Sequence, residues 1–330
     1  MLPGDPAQMM LGQNEDSEQL AMIKQKYGFD KPVGVQYLYY LNDLSPVSIH
    51  SKNDQDYTFL DTNKYSGMVL FSMDQRNLAL KFPYLRESFT KQGKPVTQVL
   101  EETLPNTIVL AFTAISIAIF LGILLGIISA LRKDSILDKM IQVVSTVGIS
   151  LPSFFSAILF AWIFGFVLHE FTNLEMTGSL YELDDYGEHM HIRWKNLILP
   201  ALVLGIRPLA VIIQLMRNSL LEVLNEDYIR TARAKGLSEF QIIKNHALKN
   251  ALNPVVTAIS GWFASMLAGA VFVEYIFGWN GLGKEIVNAL NTLDLPVIMG
   301  SVLVVATIFV MINIFVDIIY AWLDPKVKLN

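Results

Sequence analysis

The sequence predicts an all-α polytopic membrane protein, and three observations predict it: long charge-free runs, the distribution of Lys and Arg between them, and helix-capping residues in the connecting loops. The chain has 330 residues, 52% of them apolar, and a mean hydropathy of +0.41. Crossing about 30 Å of hydrocarbon takes roughly 20 predominantly apolar helical residues. Thr103 to Leu131, Met140 to Leu168, Ala251 to Val273 and Leu295 to Val316 contain no Asp, Glu, Lys, Arg or His, and each is long enough. A fifth stretch, Asn196 to Met216, is interrupted only by Arg207. So many long runs in one chain argue against buried helices of a large soluble protein.

Composition narrows the function classes. Cysteine is absent, which excludes disulfides, thiolate nucleophiles and cysteine metal sites. The net charge of −5 comes with neither a basic tail nor a long acidic run, so nothing points to nucleic acid.

Orientation follows from the short loops, because cytoplasmic loops retain Lys and Arg. Arg132, Lys133 and Lys139 lie between the first two runs, and Arg217, Arg230, Arg233, Lys235, Lys244 and Lys249 in segment 217–250. Lys326 and Lys328 lie in the tail. The alternate loops, 169–195 and 274–294, hold only Arg193, Lys195 and Lys284. The linker 132–139, the 217–250 loop and the tail 324–330 are therefore expected in the cytoplasm, and residues 1–103 outside. Those 103 residues have no visible means of crossing, since their longest uncharged stretch is Pro32–Asn42. The sequence thus predicts a further apolar helix ahead of Met1, giving six spans with both termini inside.

The stretch 225–253 is the most informative loop. Tyr228–Lys235 has good helix formers and ends at Gly236, the residue best suited to a left-handed C-terminal cap. Ser238 can cap the next helix, and Gln241 three residues on completes a capping box. That helix is expected to close at Asn253–Pro254. Ala232 and Gly236 lie four apart and expose backbone rather than bulk, as a close docking face needs. A DNA-reading helix-turn-helix is excluded by context, because both ends run straight into membrane spans. A solvated connector is the bland alternative; the functional one is a docking element for a cytoplasmic partner.

Two strings carry a resemblance. Tyr228-Ile-Arg230-Thr231-Ala232-Arg233-Ala234-Lys235-Gly236-Leu237 and His246-Ala-Leu-Lys-Asn250-Ala stand unbroken. They resemble the loop by which importer permeases engage their ATPase subunits, in the form found in the peptide/nickel branch. Leu2-Pro-Gly-Asp-Pro6, Tyr27-Gly-Phe-Asp-Lys-Pro32, Leu104-Pro-Asn-Thr107, Gly269-Ala-Val271 with Glu274, Gly281-Leu-Gly283 and Asp317 through Asp324-Pro325 are similar to landmarks of the B-type subunit in that branch. The region from about Ser45 to Pro83 matches nothing and reads as an insertion in the external segment.

The resemblance implies a type I ABC importer transmembrane fold over 104–323, with no enzyme activity and no cofactor on this chain. ATP and magnesium would act on two ATP-binding subunits, beside a homologous second permease and an extracytoplasmic substrate-binding protein, in the bacterial inner membrane. Peptides lead as cargo. Nickel or another small solute of the same branch is the alternative, as is a scaffold or sensor that transports nothing.

Other signals are weaker. Gly278 to Lys284, GWNGLGK, has phosphate-loop spacing, but Glu285 follows where Ser or Thr would bind magnesium. Glu188, His189 and His191 cluster in one loop, though such a loop is more often solvated than metal-binding. Arg207 is the one charge well inside a span, where charges are costly and usually face water or a partner. It is expected to line the translocation path, with Glu274 as a counter-charge.

Overall fold

A computed structural model describes residues 7–8, 17–54, 56–61, 64–91, 93–184 and 189–323. Leu2–Pro6, Glu188 and the tail 324–330 lie outside the described residues. The chain divides into two compact units, one of residues 1–102 with 288–302 and one of 103–287 with 303–330.

In the first unit, α1 (Ser17–Tyr27) and α2 (Val33–Leu44) precede three strands, β1 (Val47–Ser51), β2 (Gly67–Ser72) and β3 (Arg76–Lys81). They form an antiparallel sheet in the order β1-β3-β2. The segment 45–83, expected to be an insertion, thus carries a small three-stranded sheet. Asp43 at the end of α2 is the polar centre of this unit. Its buried carboxylate accepts from Tyr65 Oη at 2.7 Å, Tyr57 Oη at 3.1 Å and Arg86 Nε at 2.8 Å, and its backbone carbonyl accepts from Lys81 Nζ. A buried carboxylate is tolerable only when paired and hydrogen-bonded in this way. Asp294 does the same for residues 288–302, accepting from the hydroxyls of Ser88 and Thr90 and the backbone N–H of Phe89.

The second unit is built from apolar helices. α3 (Val96–Leu131), α4 (Ile136–Ser150) and α5 (Ser153–Trp162) come first, the last running into a π-helical turn at 163–167. A one-turn helix, α6 (His169–Thr172), and a hairpin of β4 (Tyr181–Leu183) and β5 (Met190–Ile192) lead to α7 (Lys195–Val223). There follow α8 (Asp227–Ala234), α9 (Glu239–Ile242), a second π turn at 243–247, α10 (Leu248–Ala251), α11 (Asn253–Gly269), α12 (Val271–Phe277) and α13 (Leu282–Asn291). α14 (Leu295–Leu323) closes the described chain.

The five apolar runs do not become five straight helices. α3, α7 and α14 are long and apolar enough to cross a membrane unbroken. The run Met140–Leu168 instead bends by 111° between α4 and α5. The cause is Pro152: it disfavours helical geometry in the residue before it, and Leu151 is extended, with ψ 133°. The run Ala251–Val273 forms a 17-residue helix, α11, which stops at Ala270 before α12 begins. At 1.5 Å per residue that is roughly 26 Å, short of a straight crossing. α7 continues through Pro200 and Pro208 without interruption.

Glycine sets one packing distance that matters here. A Cβ on Gly122 of α3 would lie 2.5 Å from Ile212 Cγ2 of α7, and one on Gly126 would lie 2.6 Å from Met216 Cβ. The two glycines, four apart, let these helices touch at near-backbone distance, as small residues do between membrane helices.

Candidate functional site

The loop 225–253 folds as a helical hairpin whose two faces differ sharply. Gly236 has φ +79°, the left-handed cap expected of it, and ends α8. Ser238 Oγ accepts from Gln241 N–H at 3.4 Å and Gln241 Oε1 accepts from Ser238 N–H at 3.0 Å, so the capping box is formed. Across the hairpin, Asn250 Nδ2 donates to Tyr228 Oη at 2.8 Å. Two surface ion pairs, Arg230–Asp227 and Arg233–Glu239, both at 3.2 Å, add little in water.

The inner face of the hairpin is Ile229, Ala232, Ile242, Ala247 and Ala251, all buried. They share one apolar core with Ile212, Met216 and Leu220 of α7, Ala118 and Ala130 of α3 and Val255 of α11. The outer face is Tyr228, Arg230, Thr231, Arg233, Ala234, Lys235, Gly236, His246 and Asn250, all exposed, with Leu237 half-buried. This sorts the sequence-predicted set. Ala232 is corrected from docking face to core, because helical spacing carries it round with Ile229. Around Gly236 the space is open, and a Cβ there would meet nothing within 4 Å. Only residues 224–226 separate α7 from α8, and only Leu252 separates α10 from α11. A push on the outer face therefore has no slack to absorb it.

Sequence reasoning missed a buried clasp at the same end of α7. Arg217 donates to both carboxylate oxygens of Asp138 in α4, Nε and Nη2 each at 2.7 Å. Asp138 also accepts from Ser129 Oγ of α3 and from the backbone N–H of Asp134. One carboxylate thus joins α3, α4 and α7. The signal was present but weak: a single aspartate early in one apolar helix and a second arginine late in another.

Glu274 is not the counter-charge of Arg207, which corrects that expectation. It is fully buried and its oxygens are committed elsewhere. Thr107 Oγ1 donates to Oε1 at 2.7 Å, and the backbone N–H groups of Gly283 and Lys284 donate to Oε2 at 2.7 and 3.2 Å. The phosphate-loop-like turn therefore directs its amides at an internal carboxylate. Thr107 Oγ1 also accepts from Leu282 N–H, and Asn106 Nδ2 donates to the Asn280 carbonyl. Three of the strings that carried the resemblance thus meet at one point. Gly283 is needed there, since a Cβ would lie 2.5 Å from Val271 Cα. Gly283→Ala is expected to lower stability by about 1–3 kcal/mol through overpacking, read as a lower melting temperature in detergent. An unchanged melting temperature would show that the turn yields freely.

Arg207 keeps a polar deficit. Its Nη2 lies 3.4 Å from the Leu151 carbonyl at the bend between α4 and α5, and its buried Nε has no hydrogen-bond partner among the described residues. His191, of the acidic loop, is engaged by Arg193, whose Nε donates to its Nε2 at 3.0 Å.

Comparison with known proteins agrees with this architecture. Residues 122–329 match the family described as binding-protein-dependent transport system inner membrane component, and residues 1–53 match the N-terminal region described for such membrane components. The chain is 35% identical to the dipeptide transport system permease protein DppB of Alkalihalophilus pseudofirmus, over 99% of this chain and 91% of that protein. It is 33% identical to the di/tripeptide transport system permease protein DppB of Pseudomonas aeruginosa, again over 99% and 91%. A chain from an inward-facing structure of the MetNI methionine ABC transporter superposes with a TM-score of 0.56 at 16% identity, covering 71% of this chain and all of that one. The chain has the type I ABC importer transmembrane fold and belongs to the family of binding-protein-dependent transport system inner membrane components.

Proposed function

We propose that this chain is the permease subunit of an importer that moves di- and oligopeptides across the bacterial inner membrane by alternating access, driven by separate ATPase subunits. One observation carries the coupling role. The hairpin 227–251 presents an exposed polar face outward while its inner face is part of the core of α3, α7 and α11. A partner that seats on Tyr228, Arg230 and Arg233 would move those helices as it moved. The peptide cargo is supported by the two DppB relatives, whose names specify dipeptides and di/tripeptides.

In this reading the hairpin and the C-terminal tail face the cytoplasm, in keeping with their Lys and Arg content, and residues 1–103 face outward. The partners are a homologous second permease, two subunits that bind ATP and magnesium, and an extracytoplasmic binding protein. Arg207 lines the path. Its unsatisfied Nε costs roughly 1–3 kcal/mol, a deficit that a passing carboxylate or a partner helix would remove. Arg207→Ala is expected to cut peptide uptake about tenfold or more, with Arg207→Lys retaining part of it; normal uptake in Arg207→Ala would place the residue off the path.

The whole reading is tested by isolating the tagged chain from membranes in mild detergent and identifying its companions, alongside uptake of labelled Ala-Phe by cells with and without the gene. Co-isolation of a second permease with two ATP-binding proteins, and uptake that depends on the gene, is the expected result. Gene-independent uptake would remove the peptide assignment, and a companion set without ATP-binding proteins would remove the importer.

A further inference from the structure

The first unit contains a cavity of about 290 Å³ that the transport mechanism does not use. One wall is aromatic. Tyr27 stacks on Phe29 at 5.8 Å between centroids, and Phe89 meets both edge-on, at 5.9 and 5.5 Å. Lys64 also lines the cavity. Its Nζ lies 4.6, 4.9 and 5.3 Å from the ring centroids of Tyr57, Tyr65 and Tyr84, a cation–π cage. The ammonium carries three donors, yet it has no hydrogen-bond or ion-pair partner among the described residues. Burial lowers its pKa, against the opposing pull of the Asp43, Glu87 and Asp61 carboxylates. The other lining cation, Arg86, already gives Nε to Asp43 at 2.8 Å. Two carboxylates, Asp61 and Glu87, complete the lining.

A half-buried ammonium with free donors, an aromatic wall and two carboxylates in one lining fit a small zwitterion with an apolar group. We propose that this cavity binds the C-terminal end of a short peptide, its carboxylate on Lys64 and its last, apolar side chain against Tyr27, Phe29 and Phe89. The volume is at the small end of ligand pockets and admits one or two residues, not a long peptide. Asp61 and Glu87 in the lining disfavour simple dianions and suit a ligand that also carries a positive charge. The inference deepens the peptide-importer reading and rests on it. It gives residues 1–103 a capture role beyond connecting helices.

The test uses the full chain assembled with its partner subunits in nanodiscs, binding protein omitted, with labelled Ala-Phe as the probe. Saturable binding is expected. The peptide amide, which lacks the carboxylate, should compete about 10- to 100-fold more weakly on the unaltered protein, the range for losing a hydrogen bond to a charged group. Lys64→Met and Phe29→Ala should each weaken binding, and Lys64→Arg should retain most of it. Equal competition by the amide, or full affinity in Lys64→Met, overturns the site. Should Lys64→Met fail to fold, Phe29→Ala decides instead, because the amide would equally lose a contact to Arg207 on the path. Cell uptake separates the two claims: gene-dependent Ala-Phe uptake with binding indifferent to Lys64 and to the carboxylate overturns the cavity only. Absence of gene-dependent uptake overturns the peptide reading and the cavity with it.

Discussion

Gly236→Leu is expected to abolish ATP-coupled uptake while leaving the chain folded and inserted. The residue sits at φ +79°, where an L-residue with a Cβ is disfavoured by roughly 1–2 kcal/mol. Among the described residues nothing lies within 4 Å of a Cβ placed there, so a side chain starts into open space. Both effects fall on the proposed docking face: the turn between α8 and α9 is strained, and bulk appears where the proposed partner would approach. The core beneath, Ile229 with Ala232 and Ile242, is untouched. Uptake should fall to background and the partner ATPase should lose its response to the binding protein, with normal amounts of chain in the membrane. Gly236→Asn separates the causes, because asparagine tolerates the left-handed conformation but still adds bulk. Transport retained in Asn and lost in Leu would assign the effect to backbone conformation; transport lost in both would assign it to surface clearance. Unimpaired uptake in Gly236→Leu would contradict the docking role itself.

Breaking the Asp138–Arg217 clasp should produce the largest loss of stability. Asp138 and Arg217 side chains are 3% and 18% exposed, and the pair is bidentate. Removing one partner of such a buried pair leaves an uncompensated charge, at a cost of about 3–5 kcal/mol. Arg217→Met should therefore lower the melting temperature of the solubilised complex steeply. Asp138→Leu should do the same and also strand the Ser129 hydroxyl and the Asp134 N–H. The double variant should melt closer to the unaltered protein than either single one, since an apolar pair replaces an ion pair with little penalty. If both single variants melt normally, the clasp is not holding α3, α4 and α7 together. A double variant that is stable yet transports poorly would show that the pair also transmits motion from the hairpin.

How much of this was legible beforehand varied with the range of the interaction. The hairpin caps were readable because they are local: Gly236 supplies a conformation its neighbours cannot, and Ser238 and Gln241 satisfy each other within one turn. Apolar length was equally readable for α3, α7 and α14. It misled at Met140–Leu168, where counting charges ignored what Pro152 does to Leu151. It also overran at Ala251–Val273, where an apolar run spans the break at Ala270.

Apolar segments, helix caps and turns, and the surface strings that resemble a known loop are all readable along the chain. These follow from side-chain transfer energy and backbone preference within a few residues. The partners of the buried charges emerge only from the packing of the helices. Glu274 was paired with Arg207 by depth and sign alone, yet its oxygens go to Thr107 and to two amides of a nearby turn. Asp138 finds Arg217, 79 residues away. The reason is physical: a buried charge is stabilised only by donors within about 3 Å and at the right angle. Such proximity across distant segments is set by how the helices pack, a quantity that no window of sequence contains.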